Sequence, residues 1–470
     1  MTAPGHAPTA PEHYDVAVIG AGPAGTAAAL RAAELGASVV VLEAARVGGT
    51  CVNTGCVPTR VLAKTARLIR ETRSAADYGI VVGPPALDWA AVVARVGERV
   101  DAVRSIKREA ERFAEAGVTL IHEGRARFAD DRTLVLDSGR LLTADAILVS
   151  VGGRSRRLPV PGAELATVPE EVLALPGVPG RVAIIGAGNT GAQLVTVFNA
   201  FGADVTLLDV APRLLMASVA SIASAVTAAF TSRGVDVRTG IRGVERLERA
   251  GDGSITLTWL DDETRSADFD AVIMATGWPA DVDDLGLENA GVTTVRSAIP
   301  VDQYFRSSVP HIFAVGDANG RDMLVQAAYT EGEAAAENAV LDANRSAPHH
   351  LLPAGGFTDP DYAGVGLTEE VARERDELCV VATIRYADLE RAVIDDRETG
   401  FLKLIADRRR ELILGAHAVG ENAVEVIQSV TTSMAAGTDV ATLAHVRFAY
   451  PTYSSVIGAA ARALLTERQG

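Results

Sequence analysis

The chain contains one local pattern twice: a short apolar run, a glycine-rich turn, an alanine-rich segment, a second apolar run and an acidic residue. The first copy runs from Tyr14 to Glu43 and has its turn glycines at Gly20, Gly22 and Gly25. The second copy runs from Arg181 to Asp209 and has its turn glycines at Gly186, Gly188 and Gly191. Each copy is typical of a strand, turn, helix and strand, so the repeat predicts an α/β fold with two doubly wound parallel sheets.

The chemistry of these turns indicates dinucleotide binding. The first glycine makes the tight turn, the second lets the backbone approach a diphosphate, and the third lets the helix pack on its strand. The helix N-terminus then offers free N–H groups and a partial positive charge to the phosphates. Glu43 and Asp209 are expected to accept hydrogen bonds from ribose hydroxyls. A carboxylate at Asp209 disfavours the 2′-phosphate of NADPH, so we expect NADH, with NADPH as the alternative because Arg213 follows four residues later.

Composition disfavours several other classes of protein. The chain has 60 acidic and 44 basic residues and a net charge of −16, which argues against nucleic acid or an anionic membrane as partner. No apolar run reaches the ~20 residues that a membrane-spanning helix needs. Three cysteines are too few for a secreted disulfide scaffold. Residues 1–12, rich in Pro and Ala, predict a disordered tail rather than a signal peptide, so we expect a cytoplasmic protein.

Two of the three cysteines, Cys51 and Cys56, lie five residues apart at the start of a predicted helix. Gly55 loosens the first turn, so the two sulfurs can meet, and a helix N-terminus favours thiolates. A disulfide here would close too short a loop to stabilise the fold much. We predict no metal site, because no further Cys/His cluster supplies ligands. Cys379 is isolated and predicts a small buried side chain.

Around these cysteines the sequence GGTCVNTGCVPTR, residues 48–60, resembles the redox motif of the class I flavoprotein disulfide oxidoreductases. The resemblance extends over the chain after the tail. Residues 308–317 (SVPHIFAVGD) look like the second FAD signature of that family, and residues 275–277 (ATG) look like its ATG turn. Residues 124–128 are similar to its adenine-side segment. The region that begins at residues 357–360 (FTDP) is similar to its dimerisation domain.

The resemblance implies a homodimer that uses FAD and NAD(P)H. It implies an FAD-binding domain over 13–155 and 272–345, an NAD(P)-binding domain over 156–271 and an α+β dimerisation domain over 346–470. Cys56 would contact the flavin, and Cys51 would be the interchange thiol that meets the substrate. Beyond the two glycine turns and their acids, the residues implied to bind the cofactors are Gly49, Thr50, Arg60, Ala126, Gly277, Asp317 and Val325.

The chain departs from that family at several active-site positions. Disulfide-reducing members carry a C-terminal His-Pro-Thr-x-x-Glu, whose His is an acid–base group. Here Tyr450 occupies the His position and Ser455 occupies the Glu position. His445 lies five residues upstream and does not align with the His position. A phenol, with an ordinary pKa near ~10, is a poor base at neutral pH. A Lys–Glu pair has become Arg60 and Gln193.

Two further positions differ. The aromatic residue often found in the second glycine motif is Asn189, and a substrate-side tyrosine of mercuric reductases aligns with Arg108. These changes fit either neutral drift around a working reductase or a specialised site.

These observations predict an FAD-dependent oxidoreductase that passes electrons between NAD(P)H and a small-molecule thiol, disulfide or metal-thiolate substrate. The catalytic residues would be Cys51, Cys56, Tyr450 and Arg60. Mercuric-reductase-like chemistry is the first specific hypothesis, since a metal ion held by two thiolates needs no imidazole. The alternatives are a thiol oxidase or disulfide-forming flavoenzyme of small-molecule metabolism, and a redox sensor or binding protein that keeps the fold.

Overall fold

The computed structural model describes residues 11–347, 351–375, 379–407 and 412–467. Its described strands are β1 (Glu12–Ile19), β2 (Val39–Leu42), β3 (Thr119–Ile121), β4 (Ala126–Phe128), β5 (Thr133–Leu136), β6 (Leu141–Val149), β7 (Arg181–Ile185), β8 (Asp204–Asp209), β9 (Asp236–Thr239), β10 (Gly243–Arg249), β11 (Ile255–Leu260), β12 (Thr264–Phe269), β13 (Ala271–Met274), β14 (Ile312–Ala314), β15 (Ala354–Gly356), β16 (Tyr362–Gly366), β17 (Val380–Arg385), β18 (Phe401–Ala406) and β19 (Ile413–Val419). Its described α-helices are α1 (Pro23–Glu34), α2 (Gly49–Asn53), α3 (Cys56–Arg73), α4 (Trp89–Lys107), α5 (Glu109–Glu115), α6 (Asn189–Ala200), α7 (Ala220–Ser232), α8 (Val325–Leu341), α9 (Glu369–Arg375), α10 (Glu390–Ile394), α11 (Ala423–Ala435), α12 (Val440–His445) and α13 (Ser455–Glu467).

The described residues form two compact units. The first unit takes the described parts of Met1–Pro58, Gly97–Arg154 and Trp278–His349. The second takes those of Thr59–Val96, Ser155–Gly277 and His350–Gly470. Two helices, α3 and α4, therefore begin in one unit and end in the other.

The first unit contains a seven-stranded sheet in the order β3-β2-β1-β6-β5-β4, with β14 also paired to β6. The strands β1, β2, β3, β6 and β14 are parallel, whereas β5 is antiparallel to β6 and to β4. Alternate residues of β1 enter two separate apolar clusters: Val16 and Val18 in one, Ala17 and Ile19 in the other. Both faces of the sheet are thus covered, as a parallel sheet requires.

Helix α8 covers one face of this sheet by packing against α1. The approach is close: a Cβ added at Gly332 would collide with the carbonyl oxygen of Ala24. Because the facing residues of the two helices are small, their backbones pack closely. This packing holds the start of α1 in place, directly after the first glycine turn.

The second unit begins with a parallel four-stranded sheet in the order β13-β7-β8-β9. A three-stranded antiparallel sheet, β10-β11-β12, follows β9 along the chain. The last part is a five-stranded antiparallel sheet in the order β15-β16-β19-β18-β17. Its core takes in α11 and α13 through Val426, Ile427, Val456 and Ile457.

The predicted fold class is confirmed: an α/β chain with two Rossmann-like sheets followed by an α+β portion. The unit bounds nevertheless differ from the predicted domain bounds. Strand β13 pairs with β7, so the first unit resumes at Trp278 and not at residue 272. Residues 59–96 fall in the second unit, and the two later predicted domains form one compact unit. Apolar runs in the sequence indicate where strands lie. Which sheet a strand joins depends on its pairing with strands that are distant in the sequence.

The N-terminal tail prediction falls mostly on residues 1–10, which lie outside the described residues. Glu12 differs from that prediction, because it is the first residue of β1 and lies opposite Leu142 of β6. Within the described ranges, every helix is too short or too polar to cross a lipid bilayer.

Candidate active site

The first glycine turn joins β1 to α1 in a backbone conformation that a side chain would disrupt. Gly20 has a φ of +101°, and a Cβ there would lie 2.6 Å from the carbonyl oxygen of Ser150. A Cβ at Gly25 would collide with the carbonyl oxygen of Gly20, so only glycine lets the helix start this close to the strand. Gly22 is the N-cap of α1 and lies against Gly49. The result is a bare backbone cradle at a helix N-terminus, which fits a diphosphate.

The carboxylate of the buried Glu43, which directly follows β2, stabilises this turn. Its carboxylate accepts from the amide of Ala21 at 2.7 Å and from that of Ala45 at 2.7 Å. These two bonds hold the glycine turn and the chain after β2 against each other.

The second glycine turn repeats this geometry in the other unit. Gly186 has a φ of +106°, and a Cβ there would collide with the carbonyl oxygen of Ala275. A Cβ at Gly191 would collide with the carbonyl oxygen of Gly186. Gly188 is the N-cap of α6. Asp209 accepts from the amides of Ala187 at 2.5 Å and Ala211 at 2.7 Å, as Glu43 does in the first turn.

Arg213 lies close to the second turn, but its guanidinium is committed to its own loop. It donates to the carbonyl oxygens of Leu214, Leu215, Met216 and Ser218 at 3.0–3.2 Å. Four carbonyls therefore compete with any phosphate for this cation. Asp209 is therefore the charged side chain at the end of β8 that is best placed to meet a ligand at this turn.

The two cysteines lie in the first unit, on two consecutive helices. Cys51 is within α2 and half-buried, and Cys56 is the first residue of α3 and exposed; both are thiols. The amides of Thr54 and Gly55 donate to the carbonyl oxygen of Thr50 at 3.0 and 2.7 Å, which turns the chain back on itself. Glycine favours this turn, since a Cβ at Gly55 would lie 3.1 Å from that oxygen and push it aside. This turn brings the two sulfurs within hydrogen-bonding distance.

The expectation that a helix N-terminus favours the thiolate is wrong for Cys51 in this dithiol state. The hydrogen bond with Cys56, and then burial, raise the pKa of Cys51 well above its ordinary value. Cys51 is also inside α2, whereas Cys56 takes the N-terminal position of α3.

Charged residues that sequence reasoning missed surround Cys51. Lys107 acts on Cys51 as a cation and lowers its pKa, and Glu109 opposes it. Lys107 donates to the hydroxyl of Tyr329 at 2.8 Å and pairs with Glu109 at 3.4 Å. No motif or spacing in the sequence singles out Tyr329. Lys107 could have been noticed, because lysine is rare in this chain. Arg108, the residue that alignment had indicated, instead pairs with Glu115 on the surface at 2.9 Å.

Asp317, the predicted FAD-binding carboxylate, lies in a short 3₁₀ turn after β14. Burial raises the pKa of Asp317, and a hydrogen bond from the Trp278 indole at 2.8 Å partly offsets this. The buried Glu331 of α8 accepts from Gly316 and Asn319, both at 2.7 Å, and so fixes the turn. Trp278 and Glu331 were not found from the sequence, because each contact joins segments that are distant along the chain.

The remaining predicted positions are distributed over both units. Thr50 lies in α2, Ala126 begins β4 and Val325 begins α8, all in the first unit. Gly277, with a φ of +126°, lies in the second unit. Within the described ranges, no three His, Cys, Asp or Glu side chains form a group that could hold a metal ion.

Arg60 and its neighbours form a group within the second unit. The Arg60 guanidinium lies over the ring of Phe357. Gln193 donates to the carbonyl oxygen of Asn189 at 3.0 Å and accepts from the amide of Phe357 at 3.4 Å. Asn189 also accepts from the hydroxyl of Tyr362 at 2.6 Å. Gln193 thus joins the second glycine turn to the segment before β16.

Tyr450, at the C-terminal position where the resemblance leads us to expect a histidine in disulfide-reducing proteins, is exposed in the single chain. Tyr450 has 77% of its surface accessible. Ser455 is the first residue of α13, and its hydroxyl donates to the carbonyl oxygen of Thr452 at 2.7 Å. His445, which the sequence analysis had set aside, hydrogen-bonds the carbonyl oxygen of Ala441 at 2.7 Å at the end of α12.

Comparison with known proteins covers nearly the whole chain. Residues 14–332 match a family model described as pyridine nucleotide-disulphide oxidoreductase, and residues 352–461 match its dimerisation domain. The chain is 34% identical to a glutathione reductase of Nostoc sp. over 439 residues, covering 90% of this chain and 94% of the relative. It is 32% identical to a dihydrolipoyl dehydrogenase of Mycobacterium tuberculosis over 458 residues, covering 95% and 97%. It is 34% identical to a mercuric reductase of Shigella flexneri over 449 residues, covering 93% and 78%.

Proposed function

The chain belongs to the pyridine nucleotide-disulphide oxidoreductase family, and from this premise we propose that it passes electrons from NAD(P)H to a substrate held by Cys51 and Cys56. It is an FAD-dependent oxidoreductase, and its C-terminal portion supports a homodimer. Bound FAD supplies the hydride acceptor and two-electron carrier between the nicotinamide and the thiol pair. A cytoplasmic location stays a prediction.

Within the first unit we assign the cofactor contacts to chain features that fit FAD. The bare turn at Gly20, Gly22 and Gly25 would hold the diphosphate, and Glu43 would reach the adjoining ribose. Asp317 is half-buried and accepts a hydrogen bond from Trp278, so its carboxylate is fixed in advance for a ribityl hydroxyl. Preorganised groups of this kind reduce the entropy lost on binding.

For the second site we propose NADH. Asp209 would accept from the ribose hydroxyls, and Arg213 is held by four backbone carbonyls of its own loop. Binding a 2′-phosphate would require Arg213 to leave these carbonyls and Asp209 to tolerate a second negative charge. Both costs disfavour NADPH.

The observation that carries the proposal is the hydrogen-bonded pair of Cys51 and Cys56 in the same unit as the first glycine turn. Oxidised, the pair would be a disulfide; two electrons and two protons convert it into two thiols. Deprotonated, the two sulfurs are soft ligands placed to hold one metal ion between them. With Hg(II) as substrate, NADH and Hg(II) become NAD⁺, Hg(0) and one proton.

We propose a thiolate-bound metal ion as substrate in preference to a disulfide. Reduction of a disulfide must protonate a leaving thiolate, and Tyr450 replaces the imidazole that does this in the related disulfide reductases. Reduction of a metal ion held by two thiolates has no such step. Mercuric-reductase-like chemistry therefore suits the residues at hand, and glutathione disulfide and lipoamide should turn over slowly.

The test is steady-state NADH consumption by the FAD-loaded dimer with Hg(II) and excess thiol, glutathione disulfide, lipoamide or O2 alone. We expect consumption that depends on Hg(II) and is lost in Cys51→Ser and in Cys56→Ser. Cys379→Ala, at a buried position outside the site, is the matched control and should keep the activity. Reduction should also produce a long-wavelength thiolate-to-flavin band that vanishes in Cys56→Ser and persists in Cys51→Ser.

Other outcomes identify the alternatives. Consumption that needs only O2 and a thiol would indicate a thiol oxidase or disulfide-forming enzyme. Flavin reduction without turnover on any acceptor would indicate a redox sensor or binding protein. Loss of the band in Cys51→Ser but not in Cys56→Ser would reverse the assigned roles of the two cysteines.

A further inference from the structure

Tyr362, the first residue of β16, places a phenol hydroxyl in the interior of the second unit. Tyr362 is 2% exposed and belongs to the same apolar cluster as Ile184 of β7 and Phe198 of α6. Its hydroxyl donates to Oδ1 of Asn189 at 2.6 Å, and within the described ranges it has no other partner. A buried hydroxyl that loses its hydrogen bond costs roughly 1–3 kcal/mol, so this contact fixes the Asn189 side chain.

The direction of the phenol ring is set by the strand beside it. Tyr362 lies opposite Gly356 in the antiparallel pair of β15 and β16. A Cβ built on Gly356 would collide with the ring and with its hydroxyl, so the ring packs directly over that glycine. Because β15 supports the ring from this side, the hydroxyl stays directed at the start of α6.

A second contact holds the same residue of α6 by its backbone. The side chain of Gln193 donates to the carbonyl oxygen of Asn189 at 3.0 Å and accepts from the amide of Phe357 at 3.4 Å. Phe357 directly follows β15, and Tyr362 begins β16. The two ends of the loop between these strands thus hold Asn189, one through its carbonyl oxygen and the other through its side chain.

The other side of the Asn189 carboxamide is available to a ligand. Asn189 is exposed and is the first residue of α6, directly after the N-cap Gly188. Its Oδ1 atom accepts from Tyr362, and in the part of the chain that the structure describes its NH2 group donates to no other residue. This group offers two N–H donors, whereas a diphosphate offers acceptors. A helix N-terminus also favours an anion, so both features of this position suit the same chemical group.

We propose that Tyr362 is a positioning residue of the dinucleotide site in the second unit. By holding Oδ1 of Asn189, Tyr362 presents the NH2 group of that residue to the diphosphate of NADH. This inference rests on the proposed binding of NADH at the turn formed by Gly186, Gly188 and Gly191. The amide of Asn189 adds a side-chain contact to the backbone amides of the turn. The phenol reduces the conformational freedom that this side chain would lose on binding.

The experiment measures NAD⁺ binding to the oxidised, FAD-loaded dimer by isothermal titration calorimetry. Tyr362→Phe keeps the ring and removes only the hydroxyl, and it should raise the Kd for NAD⁺ about three- to tenfold. Asn189→Ala removes the donor itself and should raise this Kd about tenfold or more. Tyr386→Phe is the matched control and should leave the Kd unchanged. Tyr386 is also a buried tyrosine, but within the described ranges its hydroxyl has no hydrogen-bond partner.

A double variant distinguishes positioning from a general loosening of the fold. If Tyr362 acts through Asn189, Tyr362→Phe should cause no further loss of affinity in an Asn189→Ala background, because residues in contact are coupled in a double-mutant cycle. A merely structural role would give the same loss in both backgrounds and would overturn the proposal. Flavin reduction at saturating NADH should stay within about twofold of the parent in Tyr362→Phe, because a contact to the diphosphate is made equally before and during hydride transfer.

ADP-ribose identifies the part of the dinucleotide that Asn189 binds, because it carries the diphosphate without the nicotinamide. Both single variants should weaken the binding of ADP-ribose as much as that of NAD⁺. An effect on NAD⁺ alone would overturn the assignment to the diphosphate.

Failure of this inference can be distinguished from failure of the proposed function. Normal NAD⁺ binding to the unmodified dimer that neither single variant changes would overturn this inference alone. A preference for NADP⁺ would contradict NADH as the cofactor, and the same variants would then be compared with NADP⁺, which carries the same diphosphate. Absence of binding of both nucleotides to the unmodified dimer would overturn the two together.

Discussion

At the scale of single residues, two carboxylates serve the glycine turns in the same way. Glu43 and Asp209 each accept from two backbone amides, one in the turn and one just after the second strand. Each carboxylate has about four lone-pair sites, so two remain for a ribose. We expect such a residue both to stabilise the turn and to recognise the ribose. Replacing it by alanine would remove both contributions, so the two effects could not be separated.

Cofactor choice is therefore best tested with a conservative change. The unmodified enzyme should have a kcat/KM for NADH at least ~10-fold above that for NADPH, because we expect Asp209 to meet the ribose and Arg213 to stay bound to its loop carbonyls. Asp209→Asn keeps one acceptor oxygen and removes the charge, so it should narrow this ratio. Comparing the two kcat/KM values in each protein measures it.

Arg213→Met is the companion variant, since it removes the cation that sequence alone would link to NADPH. It should loosen the loop after β8 and leave the preference unchanged, because the guanidinium donates to carbonyls. A selective loss of NADPH activity in this variant would show that Arg213 reaches the phosphate and would contradict the NADH assignment.

At the scale of elements, the packing of α8 on α1 supports the first glycine turn. Gly332→Ala places a methyl group into the carbonyl of Ala24, and this backbone cannot move without displacing α1. We expect a loss of about 1–3 kcal/mol in the free energy of unfolding and weaker retention of FAD. Denaturant unfolding and the flavin content after gel filtration report the two effects.

Gly97 of α4 is a matched control, since it is also a helical glycine but a methyl group added there would meet open space. Gly97→Ala should stabilise the chain by about 0.5–1 kcal/mol, because alanine loses less conformational freedom in a helix. Equal effects of the two variants would show that helix propensity, and not the α1–α8 contact, governs position 332.

At the scale of the whole molecule, the half-buried carboxyl of Asp361 couples stability to pH. Burial raises the pKa of Asp361 to about 7, although Arg67 and Arg60 act in the opposite direction. Between its ordinary pKa of 3.8 and about 7, the folded state keeps a proton that the unfolded chain has lost. Stability from this group therefore falls as pH rises through that window and levels off above it.

Asp361→Asn mimics the protonated form at every pH. It should be nearly neutral near pH 4 and stabilising above pH 7, by on the order of 2–4 kcal/mol. Thermal unfolding between pH 4 and 8.5 measures this, with Asp204→Asn, at an exposed position, as the control for loss of one charge. A variant with the same pH profile as the parent would contradict the assignment.

Assembly decides the role of Tyr450, which is exposed in a single chain. By resemblance to the family, it should reach across the dimer toward Cys51 of the partner subunit. General acid–base help contributes roughly 10²–10⁴-fold where it operates, so disulfide turnover should be slower than in histidine-bearing relatives by about that factor. Tyr450→His combined with Ser455→Glu should raise glutathione disulfide or lipoamide turnover and leave flavin reduction by NADH unchanged.

Ser455→Glu alone serves as the control, because it adds the carboxylate without the imidazole. Fast disulfide turnover by the unmodified enzyme would show that another group transfers the proton. It would also remove the main reason for preferring a metal-thiolate substrate.

Features that depend on neighbours along the chain could be predicted from the amino-acid sequence. A glycine with positive φ, a carboxylate at the end of the next strand and two cysteines separated by a glycine turn act over a few residues. For this reason the two Rossmann-like units, the family and the redox pair could be predicted without coordinates. The hydrogen bonds of Glu43 and Asp209 to their own turns follow the same local logic.

Features that depend on contacts between distant segments could be found only in the folded chain. Three contacts join residues that are far apart in the chain. They are the pairing of β13 with β7, the hydrogen bond from the Trp278 indole to Asp317, and the hydrogen bond from Lys107 to Tyr329. Lys107 and Tyr329 have no shared motif, and only the bend at Arg108 and the packing of α8 bring them together. The reason is physical: local turns are set by backbone geometry, whereas the electrostatics of the half-buried Cys51 thiol are set by whichever charges the fold packs against it.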